Sequence, residues 1–95
     1  MVYFIYILEC HNGSYYTGYT TNMERRYVEH VQGSAKCKYT RSFPPKRLAI
    51  FWKMDSDLST VRKIEKAIKQ LTKHEKKRLI HTACSVQEVL RLLRD

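Results

Sequence analysis

The sequence predicts an α+β domain, a small antiparallel sheet covered by helices. Three observations predict it. An N-terminal run, "VYFIYILE", is β-branched or aromatic nearly throughout. A hairpin signal, "HNGS", joins it to a second extended run, "YYTGYT". Downstream, helix-start signals alternate with one further β-rich run, "RLAIFWKM", so the order reads ββαβααα.

Each element has a local reason. Residues 2–9 carry almost no polar positions, which suits a strand covered on both faces. Asn12-Gly13 favours a tight hairpin, and a type I′ turn there needs positive φ at both central residues. Gly18 inside the returning strand points to a close backbone approach or a bulge. Thr21-Asn22-Met23-Glu24 matches a capping box, predicting a helix from there to about Gly33. Residues 34–46 contain Pro44-Pro45 and no helical period, so they read as a basic loop. Ser56 or Asp57 caps a helix running to about Thr72, and a short helix covers about 74–82. Ser85-x-x-Glu88 opens a last amphipathic helix over about 86–94. With no repeats and no low-complexity stretch, the 95 residues form one domain, its core over about 2–82.

Composition narrows the function. Eighteen Lys and Arg against nine Asp and Glu leave a net charge of +9 on a small body, which fits a polyanionic partner, nucleic acid or an acidic membrane surface, and equally a solubilising surface. The longest apolar run, "YFIYIL", is far too short to span a membrane, and the N-terminus has no signal-peptide pattern. Cys10, Cys37 and Cys84 are an odd number without CxxC spacing, which argues for a reducing compartment, the cytoplasm. A metal site built from Cys10, His11 and Cys37 lacks the pairwise spacing such sites use.

Three groups of residues break the solvated-surface pattern. At about 100° per residue, Leu58, Val61, Ile64, Ile68 and Leu71 form one apolar stripe, and Glu65 projects inside it. A carboxylate there costs several kcal/mol unless it is paired, protonated or bound to metal. A buried Glu–Arg pair is one reading; metal coordination or acid–base work is the other. Arg26 and His30, four apart, share a helix face bordering the stripe of Met23, Tyr27 and Val31. Arg26 could clamp a phosphate bidentately, and His30 could hydrogen-bond a nucleophile or simply be a satisfied boundary histidine. Tyr6 and Tyr16 fall approximately opposite each other about the hairpin, Tyr6 slightly offset, as ordinary cross-strand packing or as paired hydroxyls.

In order, these positions spell "FIY" at 4–6, "YTG" at 16–18, Arg26-x-x-x-His30 and a later helical Glu65. The chain resembles the GIY-YIG nuclease domain, and most of all the short single-domain bacterial proteins of that superfamily. The segments "YILECHNGSYYTGYTTNMERR", "KYTR" and "EKAIKQLTKHEKKRLI" carry the resemblance over about residues 2–82. It implies a three-stranded antiparallel sheet flanked by helices and metal-dependent hydrolysis of a phosphodiester. It further implies that Glu65 binds one divalent ion, Mg²⁺ or Mn²⁺, and that Arg26 holds the scissile phosphate. Tyr6, Tyr16 and His30 would surround the attacking water. Phe4 stands in place of the motif glycine and Thr17 in place of the isoleucine, and no asparagine follows Glu65.

The leading reading is therefore a nuclease acting on DNA ahead of RNA, structured or damaged DNA included, in the setting of DNA repair. Lys36, Lys38, Tyr39, Arg41, Lys46 and Arg47 would track the phosphate backbone beside the site. With no attached DNA-binding domain in the sequence, substrate selection would draw on a protein partner or a homodimer. The alternative is a nucleic-acid-binding module of the same fold with little or no catalysis; a third is a protein-interaction subunit using Leu90, Leu92 and Leu93. Glu65 separates the first two, because a pure binder has no need of a carboxylate on a helical core face.

Overall fold

The structure is a computed structural model and describes residues 1–33, 37–82 and 86–94. The elements are β1 (Val2–Cys10), β2 (Tyr15–Thr20), α1 (Met23–Gln32), α2 (Lys38–Ser42), β3 (Pro45–Asp55), α3 (Leu58–Lys69), α4 (Lys73–Thr82) and α5 (Val86–Arg94). The sheet has the order β2-β1-β3, with both pairings antiparallel. The strand richest in apolar residues takes the centre, and its alternating side chains serve two cores. Tyr3, Ile5 and Ile7 pack with Trp52 against Val61, Ile64, Ile68, Leu79 and Val89 of the three later helices. Tyr6 and Leu8 pack on the opposite face with Met23 of α1, flanked by Phe4, Tyr16, Tyr27 and Leu48. A strand covered on both faces needs this continuous apolar run.

The β1–β2 hairpin closes differently from a type I′ turn. Cys10 and Ser14 are bonded across the loop, the Gly13 amide donates to the Cys10 carbonyl at 2.9 Å, and positive φ falls on Gly13 at 85°. Among the described residues no non-glycine has positive φ, Asn12 included. This is the three-residue loop in which a type I turn is followed by a left-handed glycine. Its register sets Tyr6 opposite Gly18 and Leu8 opposite Tyr16. Tyr6 and Tyr16 are therefore diagonal neighbours on one face rather than a facing pair.

Helix ends follow local chemistry. Asn22, rather than Thr21, caps α1, its side chain accepting from the Arg25 amide at 3.0 Å. Gly33 ends that helix with φ 69°, as the sequence leads one to expect. Asp57 caps α3 by accepting from the Thr60 amide. Thr72 and Glu75 form a reciprocal capping box that opens α4, the Glu75 carboxylate accepting from Thr72 N at 2.9 Å and Thr72 Oγ1 from Glu75 N at 3.1 Å.

Two expectations need correcting. The basic loop contains the five-residue helix α2, and β3 begins at Pro45, earlier than the apolar pattern suggests. Five residues are too few to show a 3.6-residue period, and Cys37 caps α2 without a side-chain bond. Leu58, expected on the apolar stripe, is 40% exposed; it is the first residue of α3, and the stripe closes only from Val61. Leu90 packs against the core beside Val89, whereas the side chains of Leu92 and Leu93 lie outside the described residues, as do Lys36 and Cys84. No helix among the described residues is long and apolar enough to cross a membrane.

Candidate active site

The site is built on the β1–β2 face that α1 and α2 cover. Tyr6 crosses β2 at Gly18, and a Cβ on Gly18 would stand 2.5 Å from the Tyr6 hydroxyl oxygen and 2.7 Å from its ring carbon. The glycine is there for the close approach, not for an unusual φ. Gly18→Ala is expected to push the Tyr6 ring aside at a cost of ~1–3 kcal/mol. Urea denaturation measures the loss, and an unchanged midpoint would mean that Tyr6 is not held there.

The Tyr6 hydroxyl lies 2.7 Å from His30 Nε2, and His30 Nδ1 lies 2.7 Å from Thr40 Oγ1 on α2. Thr40 donates its own hydroxyl proton to the Cys37 carbonyl at 3.3 Å. Thr40 must then accept from His30 Nδ1–H, which leaves Nε2 as the acceptor of the Tyr6 proton. Arg26 Nε donates to the Tyr6 oxygen at 3.4 Å, and its Nη1 bonds Glu29 Oε1 at 3.1 Å. The result is one directed chain from Arg26 through Tyr6 and His30 to Thr40.

Burial governs its electrostatics. Desolvation, then the Arg26 charge, lowers the His30 pKa to about 4, with Glu29 opposing, so the imidazole is neutral at physiological pH. Tyr6 is pushed well above the ordinary phenol range by burial and by Tyr16, against the hydrogen bond from Arg26. Without a metal, Tyr6 stays a phenol rather than moving toward phenolate. Burial works against the Arg26 charge, but the hydrogen bonds to Tyr6 and Glu29 outweigh it and hold the guanidinium protonated.

Tyr6 and His30 are both buried, whereas Tyr16, Arg26 and Glu65 keep partial access to solvent. Tyr16 sits edge-on to His30 at 5.1 Å and stacks on Tyr39 at 5.6 Å and 20°, with Phe43 beyond at 5.2 Å from Tyr39. The Tyr39 hydroxyl donates to Ser14 Oγ at 2.5 Å, pinning α2 to the hairpin. Glu65 joins this group through Lys69, whose Nζ lies 3.7 Å from Glu65 Oε1 and 6.0 Å from the centre of the Tyr16 ring. The Glu65 side chain is 14% exposed, and the ion pair with lysine replaces the Glu–Arg pair the sequence allowed.

Among the described residues, no group of three His, Cys, Asp or Glu side chains could hold a metal, Cys10, His11 and Cys37 included. A lone, partly exposed carboxylate still fits a hard cation such as Mg²⁺, which keeps several waters and completes its shell from substrate phosphate. It does not fit a closed protein cage. Glu65 is the one expected ligand.

Of the residues expected to meet a backbone, Lys38, Tyr39 and Arg41 lie exposed on α2, whose Tyr39 stacks against Tyr16. Lys46 and Arg47 sit at the start of β3, and Arg47 Nε bonds Glu9 at 2.6 Å. Thr40, Glu29 and Lys69 complete the site without having been singled out in the sequence. Glu29 and Lys69 were legible as helical neighbours of Arg26 and Glu65 at three and four residues. Thr40 lay within the "KYTR" segment, but nothing in the sequence set it apart from its neighbours.

The GIY-YIG catalytic domain profile matches residues 2–78. A UPF0213 protein of Syntrophus aciditrophicus is 44% identical over 77 residues, covering 81% of this chain and 87% of that protein. UPF0213 protein BH0048 of Halalkalibacterium halodurans is 41% identical over 80 residues, 84% of this chain and 83% of its own. The solution NMR structure of UPF0213 protein BH0048 from Bacillus halodurans superposes with a TM-score of 0.54 at 40% identity, covering 87% of this chain and 86% of that one. With the profile covering residues 2–78 and relatives 41% and 44% identical over 84% and 81% of its length, the chain belongs to the GIY-YIG catalytic domain family.

Proposed function

We propose that this protein is a divalent-metal-dependent nuclease that hydrolyses phosphodiester bonds in nucleic acid, DNA ahead of RNA. The observation that carries the reading is the Arg26–Tyr6–His30–Thr40 chain. It presents a guanidinium beside a tyrosine whose proton already points at a neutral histidine nitrogen.

A phosphodiester anion repels an incoming nucleophile, so the site must supply fixed positive charge and hold a water in place. Arg26 takes the scissile phosphate through the guanidinium edge that Tyr6 and Glu29 leave unused. Tyr6 and His30, being buried, orient Arg26 and Tyr16 and store a route for a proton from the Tyr6 hydroxyl to His30 Nε2. Phosphate bound at Arg26 offsets the charge that helps depress His30, raising its basicity when the substrate is present. Tyr16, the solvent-facing tyrosine, is placed to contact the attacking water. Glu65 would hold one Mg²⁺ or Mn²⁺, which when bound supplies positive charge against the charge developing on the phosphate.

Arg26→Lys keeps the charge but loses the planar fork, and turnover is expected to fall ~10²–10³-fold. Arg26→Gln should in addition raise the His30 titration seen by NMR; an unmoved titration would break the proposed coupling. The reading itself is tested by incubating the protein with end-labelled single-stranded, duplex and branched DNA and matching RNAs. Cleavage is expected with Mg²⁺ or Mn²⁺ and none with excess chelator. Binding without cleavage under every metal condition would replace the nuclease with a nucleic-acid-binding module.

A further inference from the structure

The open edge of β2 carries a feature the reaction does not use. β2 has no strand on its outer side, and three lysines from the α3–α4 corner crowd against it. Lys69 Nζ lies 6.0 Å from the Tyr16 ring centre, and Lys76 Nζ lies 3.5 Å from the Tyr15 carbonyl oxygen. Lys73 Nζ would stand 3.4 Å from a Cβ on Gly13. The three ammonium groups thus lie along residues 16, 15 and 13 of the hairpin, the last in the loop that precedes β2.

Lys76 is the telling member. It is 9% exposed, yet among the described residues its ammonium meets only a carbonyl at the edge of hydrogen-bonding distance. Among the described residues, neither Lys73 nor Lys76 has a carboxylate within ion-pair reach, and Glu75 beside them is committed to the Thr72 capping box. Burial, and then the Lys69 charge, lowers the Lys76 pKa, so these cations repel one another as they stand. Lysine is rarely this buried without a partner, and gathering three cations about the single carboxylate of Glu65, which reaches only Lys69, costs free energy that an anionic ligand returns.

We propose that Lys69, Lys73 and Lys76 form a phosphate-binding edge along the β1–β2 hairpin that carries the substrate strand up to Tyr16. The path enters the catalytic face at Tyr16 from the α3–α4 corner and uses cations other than those of α2. It rests on the nuclease reading for its substrate class.

The test measures binding of labelled single-stranded and duplex DNA by the Glu65→Gln protein without metal, so that cleavage plays no part. Lys69→Gln, Lys73→Gln and Lys76→Met combined, the last keeping the buried stem, should weaken binding by about tenfold or more. The slope of log affinity against log salt should become shallower by about 2 to 3, as expected when three phosphates are no longer neutralised. A charge-matched control neutralises Lys53, Lys63 and Arg91, exposed cations on β3, α3 and α5, and should change affinity by less than about threefold.

If the triple variant is misfolded by circular dichroism, the exposed pair Lys69→Gln and Lys73→Gln is read alone, and the slope should then become shallower by about 2. Equal weakening in variant and control, or none in either, would overturn the edge. So would displacement of DNA by inorganic phosphate far below the salt range, which would assign the lysines to a small phosphate ligand. A wild-type protein that cleaves while the triple variant binds normally removes only this path; one that neither binds nor cleaves removes the nuclease reading too.

Discussion

Glu65→Gln is expected to abolish metal-dependent cleavage, lowering turnover by ~10²–10⁴-fold, while leaving the fold in place. The two halves of that result have different causes. Glutamine keeps the shape of the side chain on α3, but removes the negative charge proposed to hold the divalent ion. The charge contributes little to stability. Its partner Lys69 stands at 3.7 Å with a side chain 48% exposed, and such a pair is worth ~1 kcal/mol or less. Thermal denaturation of the variant should therefore follow the wild type within a few degrees. Cleavage assays on matched preparations check the first half. Equal cleavage by both proteins would mean that the activity comes from elsewhere, and a large loss of stability would mean that Glu65 is a structural residue.

Acidification is expected to destabilise the fold through His30. Its pKa is lowered to about 4 in the folded state from 6.5, so below the unfolded value the unfolded chain binds the proton that the folded chain refuses. Stability is full above about pH 6.5 and is lost as the pH falls toward 4, by roughly 3 kcal/mol in total. His30 is fully buried between Tyr6 and Thr40, so little solvent screening reduces the effect. Glu9, Asp57 and Glu75 also have lowered pKa values and lose stability in the same direction, at more acidic pH. Comparison with His30→Gln isolates the histidine. Urea midpoints at about pH 7 and about pH 5 should converge for the two proteins as the pH falls. Parallel curves would show that His30 is not held neutral by the fold.

The same residue shows how far a sequence can be read. Arg26 and His30 were recognisable as a shared helix face because a helix repeats every 3.6 residues, and Glu65 stood out for the same reason. What His30 does was not recognisable. Its partners are Tyr6, 24 positions before it, and Thr40, ten after it on a helix too short to carry a period. The distinction between a buried tyrosine at position 6 and an accessible one at position 16 came from the loop. A three-residue hairpin sets Tyr6 against Gly18 instead of Tyr16, and the absence of a Cβ lets the ring lie across the strand.

By itself, then, the sequence determined the strand that runs through the centre, the hairpin, the extent of α1, the start of α3 (its end falls at Lys69, short of the expected Thr72), the basic charge, and the side chains that carry the family resemblance. These depend on chemistry repeated over a few neighbouring residues, where backbone geometry leaves one periodic outcome. Only the tertiary structure decided which nitrogen of His30 accepts, that Lys69 rather than an arginine meets Glu65, and that Lys76 is buried against the hairpin. Those outcomes depend on helices docking onto a sheet edge, where the distance between two groups bears no relation to their separation along the chain.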